Sequence, residues 1–260
     1  PIISLEESVV NVGKPKDWPT FGWDNEYGNE QRLVRPFSAS SQLISNGQFH
    51  QFVVAGGYAH ERFWSRDGWS WRKFRHVRHP TFWIATGPAG FHHYQLRLIF
   101  EIVPMQWHLP VCVNYHEAKA YCAWRNEQEN NAMPYRLLTE GEHHLLRDEE
   151  DDEHRWNVKL FHGNEVEVNR MGANRKGFHD VFGNVWQWCE DHFHPLNGSV
   201  PHPFYDDFSV PCYDGQHQMM LGGSFISTGD EASPWARFHF RPHFHQHAGF
   251  RLVRNNHEDL

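Results

Sequence analysis

The chain has 260 residues, 39% of them hydrophobic and 22% charged, with a formal net charge of -8, enough to build one sizeable core. No apolar run approaches the roughly 18 residues that a membrane-spanning helix needs, and an acid excess without clustered Lys and Arg argues against a nucleic-acid backbone as partner. The opening residues carry no basic stretch followed by an apolar segment, so no secretory leader is visible and the expected setting is cytoplasmic. The 22 histidines, beside 12 tryptophans and 20 phenylalanines, raise the expectation of metal or substrate chemistry, because imidazole both ligates metals and titrates near neutrality.

In chain order, Leu33-Val34-Arg35-Pro36-Phe37 reads as a strand. Ser45 or Asn46 caps a helix that carries Phe49, Phe52 and Val53 at helical spacing and closes at Gly56-Gly57. A second helix follows Asn114 and carries Ala118, Tyr121, Cys122 and Trp124. A third begins at Thr139, where Glu142 completes a capping box. The acidic run Asp148-Glu149-Glu150-Asp151-Asp152-Glu153 reads as a solvated loop, since it lacks the alternating ligands and central Gly of a calcium loop. Met219-Met220-Leu221 and Phe250-Arg251-Leu252-Val253 read as strands, and the tail after Arg254 as polar and frayed. Without internal repeats and with turn residues scattered throughout, the chain reads as one α+β domain over residues 1–254, followed by a polar tail over 255–260.

Cys112, Cys122, Cys189 and Cys212 form no CxxC pair, so reduced thiols are expected. Cys122 and Cys189 read as small buried hydrophobes. Cys212 has a stronger claim to function through its neighbours.

An ordered series of motifs covers nearly the whole chain. It begins with Gly56-Gly57-Tyr58, Trp64, Gly68-Trp69-Ser70-Trp71-Arg72 and His79-Pro80-Thr81-Phe82-Trp83. Pro110-Val111-Cys112-Val113-Asn114-Tyr115-His116-Glu117-Ala118 leads to Tyr121-Cys122-Ala123-Trp124-Arg125, then to Tyr135-Arg136-Leu137-Leu138-Thr139-Glu140-Gly141-Glu142. Gly183-Asn184-Val185-Trp186-Gln187-Trp188, Leu221-Gly222-Gly223-Ser224-Phe225 and Ala248-Gly249-Phe250-Arg251 close it. The series resembles the formylglycine-generating, or sulfatase-modifying, family, whose loop-rich fold is related to C-type lectins. Read physically, Trp186 and Trp188 supply apolar area and need partners for their N–H groups, and Arg251 is a candidate partner for a buried acid.

Phe21-Gly22-Trp23-Asp24-Asn25-Glu26-Tyr27-Gly28 resembles the opening of the branch that joins cysteine-type thiols to histidine-type imidazoles. His202 to Ser209, Pro211-Cys212-Tyr213-Asp214-Gly215 and Phe225 to His243 resemble its ovothiol member, the 5-histidylcysteine sulfoxide synthase. That resemblance implies an Fe(II)- and O2-dependent enzyme with cysteine and histidine as substrates. It also implies iron ligands on a preceding helical domain with an HxxxHxE motif, in cis or in trans, which this sequence does not contain.

Within the chain, His239-Phe240-Arg241-Pro242-His243 has HxxxH spacing. Pro242 argues against a helix that would set both imidazoles on one face, so the segment is expected to line a substrate cleft. The metal ligands of this chain, if any, stay unassigned. Arg237 and Arg241 are candidate clamps for amino-acid carboxylates. His239 either recognises the substrate imidazole or satisfies a core hydrogen bond. Tyr205 is the candidate catalytic residue, a phenol able to donate a proton or hydrogen atom, with Tyr213, beside Cys212, as its substitute. The family can hold calcium near Asn184 to Gln187, but Gln187 replaces the Glu of many members. A formylglycine-generating oxidase is disfavoured because Gly222 to Arg251 contains no cysteine, and a non-catalytic lectin-like binding module is the remaining alternative.

Overall fold

Among the described residues, each of the four α-helices starts on a side chain that closes its first turn. The computed structural model describes residues 1–130, 133–148 and 155–256, so residues 149–153 of the acidic run lie outside the described residues. Helix α1 (Asn46–Val54) is capped by Ser45, α2 (Arg66–Arg75) by Ser65, α3 (Tyr115–Glu129) by Asn114 and α4 (Glu140–Leu146) by Thr139. In α1, α3 and α4 the side chains of Gln48, Glu117 and Glu142 reach back to the cap N–H, completing capping boxes. The sequence reading anticipated those three helices. It missed α2, whose only fully buried residue is Gly68, so no apolar periodicity marks it.

Among the described residues, twelve short strands make four small sheets. β1 (Ile2–Leu5), β4 (Phe37–Ser40) and β12 (Val253–Asn255) form one, and β2 (Ser8–Val12) with β3 (Glu30–Val34) another. β5 (Trp83–Ala85), β6 (Tyr94–Arg97) and β7 (Ile102–Pro104) form the third. The fourth has the order β10 (Arg237–Phe240), β9 (Gln218–Leu221), β8 (Trp186–His192), β11 (Ala248–Gly249), with β11 parallel to β8 and the rest antiparallel. This is the expected α+β, loop-rich architecture.

Two strand readings need correction. Leu33 to Phe37 is not one strand, because Arg35-Pro36 ends β3 and opens β4 in a different sheet; Pro cannot donate to a ladder. Phe250 to Leu252 is a linker between β11 and β12, although its carbonyls still accept from Ile44 and Ser40. β12 also extends through Asn255, and the Asn256 N–H donates to the Pro36 carbonyl at 3.2 Å.

The main core is aromatic. Phe49 stacks on Tyr121 at 5.3 Å and meets Phe250 and Trp83 edge-on, each at 6.4 Å. Each such ring contributes about 1.5–3 kcal/mol by burial. Trp188, fully buried, donates its N–H to the Val113 carbonyl at 2.9 Å. Arg251 is also fully buried, but among the described residues it binds neutral acceptors and no acid directly: the carbonyls of Ser40 and His179, both at 2.6 Å, and Gln187 Oε1 at 3.3 Å. Among the described residues no helix is long and apolar enough to cross a membrane.

Burial pushes the Glu117 carboxyl up from its ordinary 4.5 to about 7, against the opposing hydrogen bonds from Tyr58 and the Asn114 N–H. Below the lower value the group is protonated in both states. Between the two values the unfolded chain releases a proton that the folded chain keeps, so this contribution to stability falls as pH rises through that window. Glu117→Gln keeps an acceptor for the Asn114 N–H and a partner for the Tyr58 hydroxyl. It should flatten the fall in urea midpoint across that window; a slope identical to the parent's would show that Glu117 does not titrate there.

Candidate functional site

The register of β9 and β10 builds one wall of a cleft. His239 lies opposite Met219, so His217, just before β9, is its diagonal neighbour on the same face; their ring centroids are 5.2 Å apart. β10 is an edge strand, and the loop that crosses beside it carries Tyr205, Phe208 and a 3₁₀ turn, Val210–Cys212.

Residues of the Phe21 to Gly28 motif hold that loop. Trp23 stacks on Phe208 at 4.6 Å and leans on Tyr205 at 5.6 Å. Asp24 accepts from the Ser209 hydroxyl at 2.5 Å and from the His202 N–H at 3.1 Å, while Asn25 Nδ2 donates to Ser209 Oγ at 3.2 Å.

Tyr205, Phe208, Cys212, His217, His239 and Phe244 line the resulting cleft of about 390 Å³. Three residues singled out from the sequence, Tyr205, Cys212 and His239, thus meet in one site. Tyr213 packs on Phe193 at 4.9 Å and is absent from that wall. The HxxxH pair separates as the proline argument expects. His243 lines a neighbouring opening of about 630 Å³ with Trp71, His116 and His245, and the two openings share Phe244.

The His239 ring stacks on Phe193 at 3.9 Å. Burial, followed by the fields of His217 and Arg237, lowers its pKa to about 4, so the ring is neutral at pH 7. Its Nδ1 is buried without a hydrogen-bond partner among the described residues. Asp214 Oδ1 accepts from His217 Nδ1 at 2.9 Å, and that bond above all holds the Asp214 carboxyl down at about 2. Burial and then Asp214 raise the Cys212 thiol.

The cleft also contains a cluster of potential metal ligands, Cys212, His217 and His239, whose donor atoms lie within 4.8 Å of one another. A second described cluster, Cys112, Glu165 and His247, stands away from the cleft lining. The sequence reading named Cys212 and His239 but missed His217 and Asp214. The available signal was Asp214-Gly215, a turn-forming pair followed by His217, whose backbone N–H also returns to Asp214 Oδ1 at 3.2 Å.

Arg237 does not face the cleft, which corrects its expected role as a clamp. It is 5% exposed and its guanidinium is committed: to Glu140 at 2.6 and 3.2 Å, to Asn25 O at 2.6 Å and to His194 O at 3.1 Å. Arg241 is accessible, with Gln216 Oε1 at 2.6 Å and Asp214 Oδ2 at 3.1 Å. At the position where the family can hold calcium, Gln187 Nε2 donates to the Asp180 and Val181 carbonyls, and Gln187 Oε1 accepts from Arg251. A cation there would compete with a guanidinium for the same acceptor.

This arrangement of small sheets, capped helices and long ordered loops defines a class, and residues 4–256 match it: the chain belongs to the sulfatase-modifying factor enzyme 1-like domain family. It is 26% identical over 240 residues to the hercynine oxygenase of Mycobacterium tuberculosis, covering 88% of this chain and 55% of that protein. It is 27% identical over 255 residues to the hercynine oxygenase of Mycolicibacterium thermoresistibile, covering 90% and 54%. The chain therefore spans about half the length of these curated relatives. PvdO from Pseudomonas aeruginosa shares the fold, with a TM-score of 0.63 at 18% identity over 98% of this chain and 94% of that one.

Arg237→Ala should destabilise the protein by about 3–5 kcal/mol, the usual cost of breaking a buried ion pair. Arg241→Ala, whose partners are nearer solvent, should cost less than about 1 kcal/mol. Chemical denaturation of both variants checks the contrast, and equal losses would contradict it.

Proposed function

We propose that this chain is the substrate-binding and catalytic domain of an iron(II)- and O2-dependent sulfoxide synthase that joins cysteine sulfur to the histidine imidazole in ovothiol biosynthesis. The observation that carries this reading is the cleft itself. A phenol, a thiol and two imidazoles open on one aromatic-walled space of about 390 Å³, a size suited to small amino acids. The likeness to hercynine oxygenases supports an oxidoreductase acting on an imidazole-containing substrate.

The cleft does not reproduce a His-His-carboxylate ligand set. His243 faces the neighbouring opening. Both Asp214 oxygens are engaged, Oδ1 by His217 and the Gln216 N–H, Oδ2 by Arg241. We therefore assign the iron ligands to a helical domain in cis or in trans. Bound there, iron supplies the chemistry of O2 activation.

This chain's residues bind and orient. The neutral His239 ring meets the substrate imidazole, and Arg241 at the rim pairs with an amino-acid carboxylate. Phe208 and Phe244 exclude water. Tyr205, 47% exposed, has its ring braced by Trp23 and Phe208 and its hydroxyl available to deliver a proton or hydrogen atom.

The complete enzyme, supplied with cysteine and O2, should convert histidine to 5-histidylcysteine sulfoxide in preference to hercynine, as measured by mass spectrometry. Preference for hercynine would move the chain to the ergothioneine branch. Tyr205→Phe removes only the hydroxyl. It should shift product from the sulfoxide toward cysteine sulfinate with little change in substrate affinity, since such transfers contribute about 10²–10⁴-fold in rate. An unchanged product ratio under equal oxygen would remove Tyr205 from the mechanism.

A further inference from the structure

We infer that Cys212, His217 and His239 form a zinc(II) site belonging to this domain itself, separate from the iron of the proposed reaction. Three independent features of the cleft wall converge on it. One sulfur and two ring nitrogens, from the end of a 3₁₀ turn, from the residue before β9 and from the middle of β10, lie within 4.8 Å of one another. Zinc bonds of about 2.0–2.3 Å at tetrahedral angles bring ligand atoms roughly 3.3–3.7 Å apart. Side-chain rotations that shift the ligand atoms by about 1 Å close the set.

The second feature is the arrangement behind the ligands. Asp214 Oδ1 accepts from His217 Nδ1 at 2.9 Å and from the backbone N–H of Gln216 at 2.8 Å, and Oδ2 accepts from Arg241 at 3.1 Å. A carboxylate on Nδ1 fixes the tautomer that turns the Nε2 lone pair outward, as it does behind metal-bound histidines generally. The third is His239, whose Nδ1 is buried with no hydrogen-bond partner among the described residues. A buried polar atom left so is costly, and a metal bond would satisfy it.

One thiolate and two imidazoles suit zinc(II), a borderline-soft ion without redox chemistry. Three protein ligands leave the fourth position open to the cleft for water or a small thiol. Binding breaks the Cys212 S–H bond and forms Zn–S, releasing one proton per ion to solvent.

The probe is the purified chain with Zn(II) alone and, separately, with Co(II), whose bond to a thiolate gives a near-ultraviolet charge-transfer band. We expect one Zn(II) per chain, a Co(II)-thiolate band, and loss of that band in Cys212→Ser. Asp214→Asn should weaken Zn(II) affinity by about 10–100-fold, the usual effect of removing such a carboxylate. Cys112→Ser should leave the band unchanged. Parental Zn(II) affinity together with an intact band in Cys212→Ser or His239→Gln, with melting temperature confirming the fold, would overturn the site. So would a Co(II) complex without the band in the parent protein. None of these readouts requires turnover, so failure of the site and failure of the sulfoxide-synthase reading are distinguishable, although zinc held by His239 would replace the direct contact of that ring with the substrate imidazole.

Discussion

Glu140 is the charge on which the cleft side of the molecule depends. It is fully buried in the first turn of α4, where Arg237 meets both its oxygens and Arg32 Nη1 donates to Oε2 at 2.9 Å. Burial alone would raise its carboxyl, yet Arg237 and then Arg32 outweigh burial and hold it below the ordinary range. The consequence is geometric. One carboxylate ties α4 to β3 and to the edge strand β10, and Arg237 passes the connection on to the Asn25 carbonyl. Asn25 and its neighbour Asp24 in turn hold Ser209, so the loop bearing Tyr205 is located by polar contacts that begin at Glu140. A buried pair of this kind adds little net stability but makes wrong arrangements expensive, because each leaves an unpaired charge inside.

The same network shows why part of the site was legible in the sequence and part was not. Helix caps are local: Ser45 with Gln48, Asn114 with Glu117 and Thr139 with Glu142 are each three residues apart, so three helices and their starting points could be read directly. Helix α2 escaped because Trp69 and Trp71 lean on the core without a periodic buried face. An arginine in an aromatic segment looks the same in sequence whether it meets a substrate carboxylate or Glu140. What separates the cases for Arg237 is a partner 97 residues away. The meeting of Cys212, His217 and His239 likewise depends on the β9–β10 register, which pairs Phe240 with Gln218 and which no local pattern encodes.

Short strands leave a further problem that the chain solves with amides. Between Trp188 and His192 the pairing of β8 with β9 shifts register, and such a bulge strips nearby carbonyls of their ladder partners. The buried Gln218 side chain fills the gap: its Nε2 donates to the carbonyls of Cys189 at 3.2 Å and Glu190 at 3.0 Å. Gln218 is also the first residue of β9, paired with both His192 and Phe240. Fixing its side chain against the bulge fixes the backbone that enters the strand, and the residue entering it is His217. The position of an imidazole in the cleft thus follows from a bulge in the next strand and the one amide that satisfies it.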